Sequence, residues 1–531
     1  MATAPQITAP TILRLLAVVL IVTVSLVAVI APLLSVFWRG AVWPDAVTRT
    51  YLLTVVQATL WQATLSTLLV VVIAVPTAWA IVRLPGVLAS VLTVVIGVPF
   101  VMPAPVVATM FALVCGRDSW CAAALGLTVP QGLALVVLVH TWYNTGVLVR
   151  VLLEAWYAIQ GRYVAAASAL GASPWRYMLT VEWPLLRPAC IAGITLVFLY
   201  CVGSFGVVLL LGGGRVPSLE VETWRQTSQL LRLDVAAGLS VVQLLMSGGL
   251  LWFANRFHAL RQLDELPVAQ APAQTVLVRV LAGVWQRVVL LFVAVPFVVV
   301  VWRLRDISDW SAIWYLLNHP VRGSGLFISP IAATLRSASI ATIVALLTLV
   351  LAWITSQRHP ALRFVTMLPV GVSAVTLGLG YILLFGRWGV LTAWWLVILA
   401  HVVIALPLVL RQITLARQQL ARHYAWAAAT LGASPLRQWY SIEMPLLRRA
   451  LVAAGLFGFA VSLGDFAASL LLTRPDAVTA PVYIARLLGK PGVQNFQLAQ
   501  LLSLILACCC VLVIIGAEIL LRVRRQPTQI R

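Results

Sequence analysis

An all-α polytopic membrane protein, with about twelve transmembrane helices in two parallel six-helix repeats, is the fold class that three features of this 531-residue chain predict. Apolar residues make up 62% and charged residues only 10%, against roughly 45–50% and about 25% in soluble domains. Apolar runs of about 18 residues or more recur, enough to cross a hydrocarbon core as helix. The third feature is a duplication. YVAAASALGASPWRYMLTVEWPLLRPA (residues 163–189) returns as YAWAAATLGASPLRQWYSIEMPLLRRA (residues 424–450), identical at 15 of 27 positions.

In chain order the expected spans lie near 12–37, 52–82, 87–114, 131–152, 189–212 and 236–257, then near 280–302, 329–354, 364–385, 390–410, 450–473 and 498–521. The run beginning at Thr11 is too long for a signal-peptide core and is expected to stay as the first span. HALRQLDELPVAQAPAQT (residues 258–275) loses the hydrophobicity and reads as a linker. It separates a first repeat, 1–257, from a second, 276–531. The 261-residue offset also pairs His140 with His401, Arg150 with Arg411, and Gly203-Ser204-Phe205 with Gly464-Asp465-Phe466. An even number of spans per repeat gives both the same orientation.

A net charge of +21 would suggest nucleic-acid binding in a soluble protein, but the arginines stand singly or in pairs between apolar runs. With the N-terminus inside, Arg83, Arg150, Arg162, Arg176, Arg358, Arg411, Arg437 and Arg522 fall on one side, which the positive-inside rule makes cytoplasmic. Both termini and both copies of the duplicated segment then face the cytoplasm.

Each copy reads as two short helices broken by a turn. Ala166, Ala167 and Leu170, with Ala427, Ala428 and Leu431, form the first helix. Gly171 and Gly432 suit its C-terminal cap. Ser173-Pro174 and Ser434-Pro435 supply an N-cap and a first-position proline for the second, which Pro184 or Pro445 is expected to end or kink. Such a knob can insert into a groove on another protein.

The segment resembles the EAA loop of ABC importer permeases, with the pattern E-A-A-x3-G-x9-I-x-x-P. Ala166-Ala167, Gly171, Val181 and Pro184 fit it, as do Ala427-Ala428, Gly432, Ile442 and Pro445; the leading Glu is replaced by Ala165 and Trp426. Two such loops in one chain resemble the fused permeases of thiamine and iron(III) importers. SFGVVLLLGGGRVPSLEVETWRQ (residues 204–226) is similar to the stretch after the first such loop of thiamine permeases, and SLGDFAASLLL (residues 462–472) to the corresponding place in their second half, a GDF-type motif that also occurs among iron(III) permeases. The resemblance implies a type I ABC importer fold in the inner (cytoplasmic) membrane. It also implies a separate ATPase subunit, in two copies each receiving one knob, and a periplasmic substrate-binding protein.

The chain contains no GxxxxGK[ST] phosphate loop, so ATP and Mg²⁺ are expected on the partner ATPase and no cofactor on this chain. The six histidines and seven cysteines show no metal-ligand spacing. A secondary transporter is the alternative of another class. It would more often carry ionisable groups inside both repeats, whereas Asp465 is matched by Ser204. His140 and His401, at equivalent positions, read as interhelical hydrogen-bonding groups rather than catalytic ones. Asp465 is either on the substrate path, with Phe466, Ser204, Phe205, Tyr381 and Trp388, or in a structural pair with Arg336 or Arg387. Cys115 and Cys121 either close a small disulfide loop or Cys115 is a packing residue.

Overall fold

In a computed structural model, residues 23–40, 46–116, 131–258, 276–321, 326–356, 366–386, 394–418 and 430–522 are described, with single positions at 119, 122, 126 and 389. Every regular element among them is helical. The first repeat supplies α1 (Ala31–Gly40), α2 (Ala46–Ile81), α3 (Gly86–Gly97), α4 (Ala104–Cys115), α5 (Leu133–Ala169), α6 (Pro174–Tyr177), α7 (Trp183–Val202), α8 (Gly206–Leu211), α9 (Leu219–Ser228) and α10 (Leu233–His258). The second supplies α11 (Val276–Trp302), α12 (Trp310–Asn318), α13 (Pro330–Ser356), α14 (Ala374–Phe385), α15 (Trp395–Gln418), α16 (Pro435–Gln438), α17 (Met444–Gly464), α18 (Ala467–Leu472), α19 (Ala480–Leu488) and α20 (Val493–Arg522). The starts of α6 to α9 and of α16 to α19 keep the 261-residue offset, so the duplication is structural as well as sequential.

Ten helices among the described residues are long and apolar enough to cross a membrane, and a bent pair makes an eleventh crossing if counted as one. These, with the short apolar helix α14, correspond to the twelve expected spans, but the third span of each half is not one long helix. Residues 87–114 were expected to form one helix, but α3 and α4 meet at a 103° bend. Pro99 and Pro103 lack the N–H that a continuous helix needs, and Met102 between them is extended. The Met102 carbonyl accepts the Tyr143 hydroxyl at 2.7 Å instead. In the second half a 3₁₀ turn (Leu368–Gly371) precedes Ser373, whose Oγ accepts the Val375 and Thr376 N–H groups, and α14 is left only 12 residues long.

The chain forms two compact units. One holds Met1–Ala41, Pro320–Ala480 and Cys508–Arg531; the other holds Val42–His319 and Pro481–Ala507. These units do not coincide with the sequence repeats 1–257 and 276–531, because each contains the first long helix of the other repeat. In the former unit the Tyr381 hydroxyl donates to the Ala28 carbonyl at 2.9 Å, and Gly380 lies so close to α1 that a Cβ there would sit 2.8 Å from Pro32. In the latter, α11 receives the Trp142 indole N–H at the Val293 carbonyl and gives Trp285 Nε1–H to Thr77. Linker residues 259–275 lie outside the described residues.

Helices pack through small residues because lipid tails offer no hydrophobic drive to association. At the α3–α5 crossing a Cβ on Gly146 would lie 2.2 Å from the Ile96 carbonyl oxygen. Gly146→Ala is therefore expected to lower stability by about 1–3 kcal/mol. Gly249→Ala, whose Cβ would meet nothing within 4 Å, should leave the melting temperature of the detergent-purified protein unchanged or raise it.

Candidate coupling loops and polar helix breaks

In the first duplicated loop the first helix is the end of span four, not a separate element. α5 runs unbroken to Ala169, and Gly171 then takes φ +69°. The Ala172 N–H reaches back across it to the Ala167 carbonyl at 3.0 Å, the pattern of a left-handed helix cap. Ser173 Oγ accepts the Arg176 N–H at 3.3 Å and Pro174 opens α6. The second copy repeats this with Gly432 at φ +75°, Ser434 accepting from the Arg437 N–H at 3.3 Å, and Pro435 opening α16. Leu170 and Leu431, at the tips, are 87% and 86% exposed. Ala167 is half-buried and Ala166 lies within α5; Ala427 and Ala428 lie outside the described residues.

Pro184 and Pro445 do not end the second helix, which corrects the expectation. Each chain segment stays helical through a π turn, Met178–Glu182 or Trp439–Glu443, into α7 or α17, with the proline at the second position. A proline leaves one upstream carbonyl without a donor in any case, and a widened turn absorbs the mismatch without a break.

Glu182 and Glu443, identical in the two copies, were not singled out in the sequence, although they sit in the π turns. The buried Glu182 carboxylate accepts the Trp156 indole N–H at 3.1 Å. Glu443 pairs with Arg417 at 3.3 Å, and that guanidinium lies 5.3 Å from the centre of the Trp353 ring. Trp156 and Arg417 are themselves at the 261-residue offset, which is the signal that would have found them. The negative charge of Glu182 favours the charged form of Arg83 against the larger lowering effect of burial. The Tyr177 phenol is pushed up to about 12, by burial first and then by Glu182.

The second constellation lies where span five breaks. Residues 189–212 and 450–473 were expected to be continuous, but Gly203–Phe205 separates α7 from α8 and Asp465–Phe466 separates α17 from α18. A histidine from span four bridges each break. His140 Nε2 lies 2.8 Å from Ser204 Oγ and its Nδ1 3.1 Å from Ser66 Oγ. His401 Nε2 lies 3.1 Å from Asp465 Oδ2 and 3.0 Å from Ser469 Oγ, with Nδ1 2.8 Å from Ser462 Oγ. An ionised carboxylate only accepts, so the His401 ring proton is placed on Nε2. The other Asp465 contact is the Ser469 N–H at 3.0 Å, which caps α18.

The family of binding-protein-dependent transport system inner membrane components matches residues 70–259. The chain is 28% identical to the thiamine transport system permease protein ThiP of Escherichia coli (strain K12) over 91% of this chain and 93% of that one. To ThiP of Salmonella typhimurium it is 27% identical over 93% and 94%. It is 36% identical to the molybdenum transport system permease protein ModB of Azotobacter vinelandii over 30% of this chain and 73% of ModB. The chain belongs to this permease family. It is thus a multi-pass inner membrane component of a transport system rather than an enzyme.

In this permease Asp465 is paired with His401, and of the two arginines considered from the sequence Arg336 is engaged elsewhere. The Arg336 guanidinium donates to the Asp476 carbonyl at 2.9 Å, and Arg387 and Trp388 lie outside the described residues. Phe205 and Phe466 flank the breaks but are buried, Phe205 tilted against Trp224 at 6.1 Å between ring centres. Tyr381 is a core residue, fully buried with its hydroxyl given to Ala28 and its ring edge-on to Phe385. Cys115 is buried at the end of α4, and Cys121 lies outside the described residues.

Asp465→Ala removes both the imidazole's partner and the cap of α18. The expected loss is about 1.5–3 kcal/mol, the range for a hydrogen bond to a charged group, read as thermal stability of the purified protein. The matching change Ser204→Ala removes one neutral hydrogen bond and should cost about 1 kcal/mol.

Proposed function

We propose that the chain is the membrane-spanning subunit of an ATP-driven importer that takes thiamine, or a thiamine phosphate, from a periplasmic binding protein and delivers it to the cytoplasm. The alignment with thiamine permeases along more than nine-tenths of the chain carries the reading, and it favours thiamine over iron(III). Two coupling loops, one in each repeat, support a partner ATPase in two copies, one per loop, with ATP and Mg²⁺ held there. Both termini and both loops face the cytoplasm in this reading.

Asp465, Ser204 and the flanking Phe205 and Phe466 are the residues assigned to passage of the solute. Thiamine carries a permanently cationic ring, and Asp465, 3.1 Å from His401 Nε2, is the acidic group at the break in span five. An aromatic face adds attraction for a cation within about 6 Å. Ferric ion would ask for several oxygen ligands, and no cluster of three or more His, Cys, Asp or Glu that could hold a metal occurs among the described residues.

Reconstitution of the chain with its ATPase and binding protein in proteoliposomes tests this directly. ATP-dependent accumulation of radiolabelled thiamine, competed by unlabelled thiamine and not by ferric ion, is the expected result; ferric uptake without thiamine uptake would overturn the assignment. Gly171→Val with Gly432→Val should leave membrane insertion intact while uptake falls, because both positions need a left-handed backbone that a β-branched residue resists.

A further inference from the structure

The loop-to-break connection runs through span four in both repeats. α5 carries Trp156 near the cytoplasmic loop and His140 at the break; α15 carries Arg417 and His401 in the same places. Sixteen residues separate the members of each pair (156 minus 140, 417 minus 401), about 24 Å along a helix axis. Each coupling loop joins span four to span five covalently, yet a loop with a glycine hinge transmits force to both legs together only if its base is braced.

We infer that Glu182 and Glu443 are positioning residues that brace the base of each coupling loop against span four, so that movement of the loop is delivered to the helix bearing His140 or His401 and thereby to the break in span five. This rests on the importer reading above. Three observations support it. The carboxylates occupy the same π turn in both copies, and π turns interrupt the regular helix that could otherwise carry the load. Their partners are equivalent residues of different chemistry, an indole N–H in one repeat and a guanidinium in the other, so the contact persists although the donor has changed. Finally, Glu182 is buried at the membrane boundary, where a carboxylate with no structural task would be costly.

The two braces differ in kind. The first is a buried bond to a neutral donor; the second is a charge pair with 23% of each side chain exposed, which can be reversed without burying a lone charge. That makes the second the better one to test.

The experiment uses the full complex in proteoliposomes and reads thiamine imported per ATP hydrolysed, beside ATPase co-purification and thermal stability. Glu443→Ala and Arg417→Gln should each keep the ATPase bound and lower the transport ratio by about fivefold or more, the low end of measured coupling effects. The exchange Arg417→Glu with Glu443→Arg should restore at least half of the wild-type ratio. A residue needed only for stability would lower yield or melting temperature without changing the ratio per ATP. Unchanged ratios in both single variants would overturn the inference, as would a charge exchange that restores stability but not coupling. Failure of the wild-type chain to bind any ATPase would instead overturn the importer reading and this inference with it.

Discussion

A chain in hydrocarbon must satisfy its own backbone N–H and C=O groups, since no water is present to do so. The irregular points of this permease show how side chains meet that demand. The Thr59 hydroxyl of span two accepts the Leu219 N–H at the start of α9, and Ser337 in the second repeat accepts the Ala480 N–H at the start of α19. Gln62 gives its amide to the Cys201 carbonyl near the end of α7, while Asp465 caps α18. Helix breaks can therefore persist inside the membrane as defined joints, each with named partners.

Duplication then supplied two copies of the same joints, and divergence changed their chemistry more than their geometry. The break in span five is bridged by a histidine in both repeats, but a serine in one faces it where an aspartate does in the other. The base of the coupling loop is tied in both, through tryptophan in one and arginine in the other. Under the proposed importer reading, an asymmetric solute has no need of two identical halves inside, while a pair of equivalent ATPase sites would need matching loops outside. The pattern of retained loops and altered interior fits that division of tasks.

Much of this was legible because the duplication marks it. The caps at Gly171, Ser173 and Pro174 follow from local backbone preferences, and the second copy removed the doubt that a single match leaves. Three features were not legible. The unbroken passage through Pro184 depends on a π turn, which no composition rule specifies. The bend near Pro99–Pro103 was read through as a span because the residues around it are all apolar. The partner of Asp465 was sought among arginines by charge, whereas the structure supplies an imidazole from span four, a long-range contact that periodicity does not encode. His401 was noticed, and Asp465 was noticed, but only the fold joins them.

Two coupling loops on one chain are the feature from which the proposed assembly with two ATPase copies is built, and its stoichiometry can be weighed. Native mass spectrometry of the complex purified in detergent or nanodiscs, with the ATPase in excess, should give one copy of this chain with two copies of the ATPase. It should fall to one copy when either loop, 163–189 or 424–450, is replaced by a linker of equal length. A complex saturated at one ATPase per chain, or one indifferent to both replacements, would contradict it.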